Sequence, residues 1–433
     1  MQFTLRFFFY SVIFIGYLYF MSIYAPLGIN WMDFHAERMF NAVEFLRLNG
    51  FNEFGFTIWS LCTDCVLEEG LKEGIYYSSL HAINMSPYVL INILGGKESL
   101  LFWGPMLDKF IVFICAMLVA EIMIKSIKVY TRLPVFFIGT ACFSLFSLSP
   151  WAYKIFVGGW WEIYFVMFFL LGLLAFEKGR FKLGLLSFLV ASFAQSIWGS
   201  WLGIFYILLA FLPYFFKGYV NSSTYFPFNI KHLNQKILII TVLILPQVLF
   251  AVLKVVAMPH VDFGTSSSLF FRMGISGEDI HNGGLIGALQ FLGGSRLTQC
   301  FGGAGSDIFS SNSMALIAMY NCTFSIVGMA IISLLSVVGV YLLVKSSTTA
   351  AKFFLPLIFS MLMFIGVFQQ SLSTHLMGYS FIFAVLFSVG ITKMMILLQD
   401  RSGSNIMGLI FSIPCLAGIL ILSIRVSMLS SIS

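Results

Sequence analysis

Trp31-Met-Asp-Phe-His-Ala-Glu-Arg-Met-Phe-Asn-Ala-Val-Glu-Phe-Leu-Arg-Leu-Asn-Gly50 is the stretch on which the reading of this chain turns. It follows the first hydrophobic run and opens the longest early polar segment. Read as a helix, it puts Asp33, Glu37 and Glu44 on one stripe, because positions four and seven apart share a face. Ala36, Met39, Phe40, Val43 and Leu46 form the neighbouring apolar face. That pattern predicts a helix lying at a membrane surface with its carboxylates toward water or a cleft. Two readings of Asp33 follow. It caps the helix start, or it is the active-site carboxylate of a membrane enzyme.

Composition supplies the membrane. Of 433 residues, 59% are hydrophobic and only 10% charged, with 50 Phe and a mean hydropathy of +0.96. A soluble domain of this size carries roughly a quarter charged residues. The expected fold class is therefore an all-α polytopic membrane protein, a single domain over 1–433 with about 11 transmembrane helices. Two long extracytoplasmic loops, 25–100 and 259–312, are expected to contain surface-lying helices. A barrel is excluded, because its short alternating strands do not resemble these continuous apolar runs. The net charge of +6 does not indicate nucleic acid, since its distribution across the membrane matters more. Among the 7 Cys, the Cys62-Thr-Asp-Cys65 pair fits either a small local disulfide in an oxidising compartment or two free thiols. No Cys, His and Asp grouping has the spacing of a metal site.

Phe7 to Tyr24 forms the first span, without a convincing small-residue cleavage site after it, and is expected to stay uncleaved. Span two runs from about Lys109 to Met123, span three from Pro134 to Leu148, and span four ends at Phe176. Spans five (Leu183 to Ile197) and six (Trp201 to Phe216) are expected to be joined by a tight Trp-Gly-Ser connection. Span seven covers Ile237 to Leu253. The last four centre on Ile326–Val344, Phe353–Val367, Met377–Ile391 and Met407–Ser423.

Charge sets the orientation. With a cytoplasmic N-terminus, the inside segments are short and basic, carrying Arg6, then Lys125, Lys128 and Arg132, then Lys178, Arg180 and Lys182, with Lys217, Lys231 and Lys236 further on. The opposite side receives both long loops and nearly all carboxylates; Glu121, Glu177 and Asp400 are the exceptions. The spans themselves are almost free of charge, with Gln195 and Gln247 as polar interruptions, which argues against an ion-coupled transporter. Chemistry at the outer face of the cell membrane fits this distribution better.

A first span followed at once by the acidic segment Asp33-Phe-His-Ala-Glu37 resembles the multi-pass glycosyltransferases of the GT-C superfamily. That group includes oligosaccharyltransferases, protein mannosyltransferases and lipid A aminoarabinose transferases. The resemblance continues at Ser149-Pro-Trp151 and Trp160-Trp-Glu162, where such enzymes often carry a second carboxylate, and at Ser373-Thr-His375. The oligosaccharyltransferase WWD signature is missing, as is the His-Pro-Asp-Glu pattern of one mannosyltransferase branch. Acceptor identity and dependence on a divalent metal ion therefore stay open.

The resemblance implies a sugar donor carried on a polyprenyl phosphate or diphosphate, and a glycan, lipid or protein acceptor. A carboxylate within reach of the acceptor hydroxyl removes its proton. Asp33 is the first candidate for that role and Glu162 the second. Glu37 and His35 are candidates for orienting the base or contacting the acceptor, and His375 for a hydrogen-bonding partner. Cations stabilise the charge developing on the leaving lipid phosphate, and Lys154, Arg272 and Arg296 are the candidates. Each also fits the bland role of an interfacial side chain. The run Gly293-Gly-Ser-Arg296 to Gly302-Gly-Ala-Gly305 lacks the frame of a nucleotide loop and reads as a mobile loop over a site. Alternatives are a polymerase or ligase joining two lipid-linked glycans, or a flippase or transporter; the last needs a polar lining that these spans barely offer.

The orientation is tested by cysteine accessibility in intact cells. A reagent that cannot cross the membrane is expected to label a Gly55→Cys variant from outside and to leave Ser222→Cys unlabelled. The reverse pattern inverts the topology.

Overall fold

The computed structural model describes residues 2–24, parts of 43–50, 57–59, 76–127, 135–147, 163–215, 230 and 232–257, with single positions between 337 and 401. Seven helices and one strand pair are described. They are α1 (Gln2–Tyr24), β1 (Thr57–Trp59), β2 (Tyr76–His81), a 3-10 turn (Ala82–Met85), α2 (Ser86–Ile127), α3 (Val135–Ser147), α4 (Ile163–Glu177), α5 (Phe181–Ala194), α6 (Ser196–Phe215) and α7 (Leu233–Ala257). The chain divides into two compact units, Met1–Ile122 with Trp151–Thr265, and Met123–Pro150 with Ser266–Ser433. Helix is the dominant structure, as the composition predicts.

Within α7, Leu233–Leu253 is long and apolar enough to cross a membrane, and only 28% of its most apolar stretch is buried. Its open stripe is formed by Leu238, Leu245, Val248, Val252 and Val256. α1 shows the same two-sidedness without polarity. Tyr10, Phe14 and Tyr17 are buried, whereas Leu5, Phe8, Val12, Ile15 and Tyr19 are exposed. A helix apolar all round requires apolar surroundings on its open face.

α1 lies against α2. Phe113 receives Phe7 on one edge (5.8 Å, 85°) and Phe14 on the other (5.3 Å, 57°). Arg6 grips Glu121 with two hydrogen bonds, Nε to Oε1 at 2.9 Å and Nη2 to Oε2 at 3.0 Å. Both side chains are only 13% exposed, so the pair neutralises two charges that would otherwise sit in a poor solvent. It also accounts for Glu121, one of the few acids on the basic side of the sequence-derived topology.

α4 and α5 form a tight hairpin. Gly179 takes φ +71, Arg180 N–H reaches the Ala175 carbonyl (2.8 Å), and Gly179 N–H reaches the Phe176 carbonyl (2.9 Å). That is a Schellman stop, which needs a left-handed residue after the last helical turn. Beyond it the helices interlock through rings set on glycines. A Cβ at Gly172 would lie 2.5 Å from the Phe188 ring, and one at Gly184 would lie 2.7 Å from the Phe176 ring. Phe188 also stacks on Phe169 (4.9 Å, 17°), and Phe165 meets Trp198 (5.3 Å, 69°).

The sequence placed the junction of α5 and α6 at Trp198-Gly199-Ser200. The break instead falls at Gln195, whose backbone is extended (φ −148, ψ 94), and all three of those residues lie inside α6. Gly199 serves packing. A Cβ there would meet Ser192 Oγ at 2.4 Å and the Leu243 carbonyl at 2.9 Å, while one at Gly203 would meet Ile244 at 2.5 Å. Gly199 and Gly203 thus form a four-residue glycine repeat along which α7 closes on α6.

The first long loop also departs from expectation. β1 and β2 pair antiparallel, with Ile58 opposite Tyr77 and Trp59 opposite Tyr76, where only surface helices were expected. Three residues are too short a run to reveal alternation in sequence. Helix begins again at Ser86, inside the segment assigned to loop up to residue 100, and span two is the later part of the same element. Spans three, four and seven agree with α3, α4 and α7 to within a few residues.

The ring-on-glycine contact yields a sign prediction. Gly172→Ala gains about 1 kcal/mol of helix propensity, but forcing a methyl into a packed ring costs about 1–3 kcal/mol. The variant is expected to melt below wild type in detergent. A higher melting temperature would refute this packing.

Candidate functional site

None of the eight residues singled out from sequence lies among those described: Asp33, His35, Glu37, Lys154, Glu162, Arg272, Arg296 and His375 all fall outside them, as do Cys62 and Cys65. The end of the decisive first stretch is described. Val43 (0% exposed) and Leu46 (3%) are buried, as its apolar face requires. Gly50, at φ +79, closes the helix by donating its N–H to the Leu46 carbonyl (2.9 Å).

Glu44, on the predicted polar stripe, is anchored. It accepts from Arg47 Nε (2.9 Å), and from Asn92 Nδ2 (2.9 Å) on the first part of α2. The Arg47 hydrogen bonds, opposed by partial burial and assisted by Asn92, hold its carboxyl below the usual range. Attachment through Glu44 is thus present at neutral pH and is lost as pH falls through that lowered pKa.

α2 is not one rod. Gly96 has φ 72 and ψ −170, outside helical space, and splits the element into arms 86–95 and 97–127. The Tyr88 hydroxyl donates to Asp108 Oδ1 across 20 residues. A straight helix would place those residues about 30 Å apart, so the arms fold back on one another. Glycine is required at the fold, since a side chain is strained at that φ.

The first arm has a bonding face and a greasy one. Tyr88 and Asn92, four residues apart, are buried and hold Asp108 and Glu44 respectively. Leu90, Ile93 and Leu94 are exposed, and Leu101, Phe102, Trp103 and Met106 continue the apolar surface past the fold. A helix was expected in this part of the first loop, and residues 86–95 form one.

Inside the fold-back, Asp108 is fully buried and Lys109 is 3% exposed. Lys109 Nζ donates to the Pro105 carbonyl (3.5 Å). Tyr164, on the first turn of α4 and two positions after Glu162, sets its ring edge-on to Tyr88 (6.2 Å, 89°). The site is a buried carboxylate held by a phenol, with an ammonium on the next residue and a second phenol beside it. Sequence reading passed over Asp108 and Lys109 as the edge of a span. The available signal was an Asp-Lys pair directly following the apolar and aromatic run Phe102-Trp-Gly-Pro-Met-Leu107, because charge that is buried among apolar residues is costly enough to mark a site.

Among the described residues no three His, Cys, Asp or Glu side chains gather as a metal would require. No protein-family model matches the chain, and no curated protein matches it.

The Tyr88 hydroxyl is expected to matter for stability. Tyr88→Phe strips a hydrogen bond from a buried carboxylate, which costs about 1–3 kcal/mol. Denaturation in mild detergent is expected to show that loss, and an unchanged midpoint would detach Tyr88 from Asp108.

Proposed function

We propose that the chain is an integral-membrane glycosyltransferase, moving a sugar from a polyprenyl-phosphate or diphosphate donor to an acceptor on the extracytoplasmic face. The observation that supports this best is the Asp108–Lys109 pair, buried where the acid-rich first loop rejoins the helices. Acceptor hydroxyls need a proton acceptor, and a departing lipid phosphate needs a cation. The buried pair does not itself take these roles; charge is costly to bury among apolar helices, so Asp108 and Lys109 mark the place beside the first loop where such chemistry is supported. The first arm of α2, with its apolar open face, is suited to border a lipid-borne substrate.

In this reading Asp33 takes the acceptor proton, with Glu162 as the alternative base. Asp108, held by Tyr88, ties the two arms of α2 together beside Tyr164 at the start of α4. His35 and Glu37 face the acceptor side, while Lys154, Arg272 and Arg296 meet the phosphate and His375 completes the hydrogen bonding. The multi-pass arrangement, the cytoplasmic N-terminus and the single transmembrane domain belong to the same proposal. Joining two lipid-linked glycans is a variant of the same chemistry. A flippase would require polar side chains along the helices, whereas the described ones are overwhelmingly apolar.

The test compares envelope glycans by mass spectrometry in cells lacking the gene and in cells restored with wild type or Asp33→Asn. The Asn variant keeps the shape and caps a helix nearly as well. It is expected to insert at normal abundance and to lose about 10²–10⁴ of transfer. Transfer above about a tenth of wild type removes Asp33 from the base role and passes it to Glu162. Glycans identical with and without the gene would end the glycosyltransferase reading.

A further inference from the structure

The break between α5 and α6 gathers oxygen atoms that have no partner. Asn84 Oδ1, Ser192 Oγ, Gln195 Oε1 and Ser200 Oγ are all buried without a hydrogen bond. Asn84 is 4% exposed, Ser192 0% and Gln195 5%. Such groups are rare because each costs about 1–3 kcal/mol when left unsatisfied, and here four belong to residues at or close to one interruption in the helical backbone.

Their residues are tied to the same place. Asn84, on the turn after β2, donates Nδ2 to the Ala194 carbonyl at the end of α5 (2.5 Å). That bond fixes the amide, since reversing it would set two carbonyl oxygens together, and it leaves Oδ1 as a bare acceptor. Gln195 is the break itself, and its carbonyl accepts from Gly199 N–H (3.2 Å). Gly199 has no side chain, so Ser192 of α5 comes within 2.4 Å of where its Cβ would be, and Ser200 is the next residue. None of the four oxygens is bonded to another, so the two hydroxyls do not quench the two amides.

We propose that these oxygens bind an alkali-metal cation. The lining is made of amide and hydroxyl oxygens, and no carboxylate is among the four. Divalent cations ordinarily recruit carboxylates, and Mg²⁺ dehydrates reluctantly, so a monovalent ion matches this neutral oxygen set. Interrupted helices in apolar bundles offer oxygens to cations in the same manner. The ion would join the first loop, through Asn84, to α5 and α6. This inference does not depend on the glycosyltransferase reading.

The test uses the purified full-length protein in detergent, melted in sodium, potassium or choline chloride at equal ionic strength. An alkali ion is expected to raise the melting temperature by about 5 °C over choline, saturating with concentration. Ser192→Ala and Gln195→Met are expected to melt near wild type in choline and to lose the shift. Ser200→Ala decides if Gln195→Met does not accumulate. Equal melting in all three salts would mean that water alone fills the site and would overturn the proposal. So would an alkali shift retained in these variants, or stabilisation by calcium or inorganic phosphate in place of the alkali ions.

Discussion

Missing Cβ atoms set how closely the described helices lie. Phe188 rests on Gly172, Phe176 rests on Gly184, and the Leu243 carbonyl and Ile244 rest on Gly199 and Gly203. Where a helix is apolar on its open face as well as its packed one, burial alone distinguishes little between partners, and the closeness of the contact decides more. Association then depends on dispersion, which falls steeply when atoms are held even slightly apart. Glycine at these positions lets rings and backbone touch. The aromatic stacks of Phe165, Phe169 and Phe188 fill the rest of the α4–α5 interface.

Polar groups are few and are used as ties between parts distant in sequence. Asn84 holds Ala194 across 110 residues, Asn92 holds Glu44 across 48, and Tyr88 holds Asp108 across the Gly96 fold. Three contacts of the segment just after β2 therefore tie it to the end of α5, to the second arm of α2 and to an earlier part of the first loop. Buried away from water, such ties specify geometry more sharply than further apolar contact could. The segment 84–92 is the seam where the acid-rich loop meets the helices.

Much of the helical layout was legible because apolar runs of the right length are hard to mistake, and α3, α4 and α7 follow them closely. The buried pair Val43 and Leu46 was legible from periodicity. The errors come from glycine's two uses. Gly199 was read as a turn, but its lack of a side chain serves packing, and the real break is at Gln195, a residue without a turn signature. Gly96 does turn the chain, yet Gly95-Gly-Lys97 followed a polar loop and was absorbed into it. The Asp-Lys pair at 108–109 was a signal that went unused, and the partner Tyr88 was not legible because a sequence shows no fold-back. The site residues chosen from motif resemblance fall outside the described part of the chain, so their arrangement is carried by sequence alone.

The Arg6–Glu121 clasp has a consequence for biogenesis. The two residues are separated by 115 positions, and both ends of the clasp lie at the same side of the α1–α2 pair. A ribosome adding about 5–20 residues per second leaves roughly 6–23 s in which Arg6 has emerged and Glu121 has not. During that interval Arg6 waits for the carboxylate that it pairs with, and the clasp closes only when Glu121 arrives. The contact between α1 and α2 is therefore completed late, after most of α2 has been made.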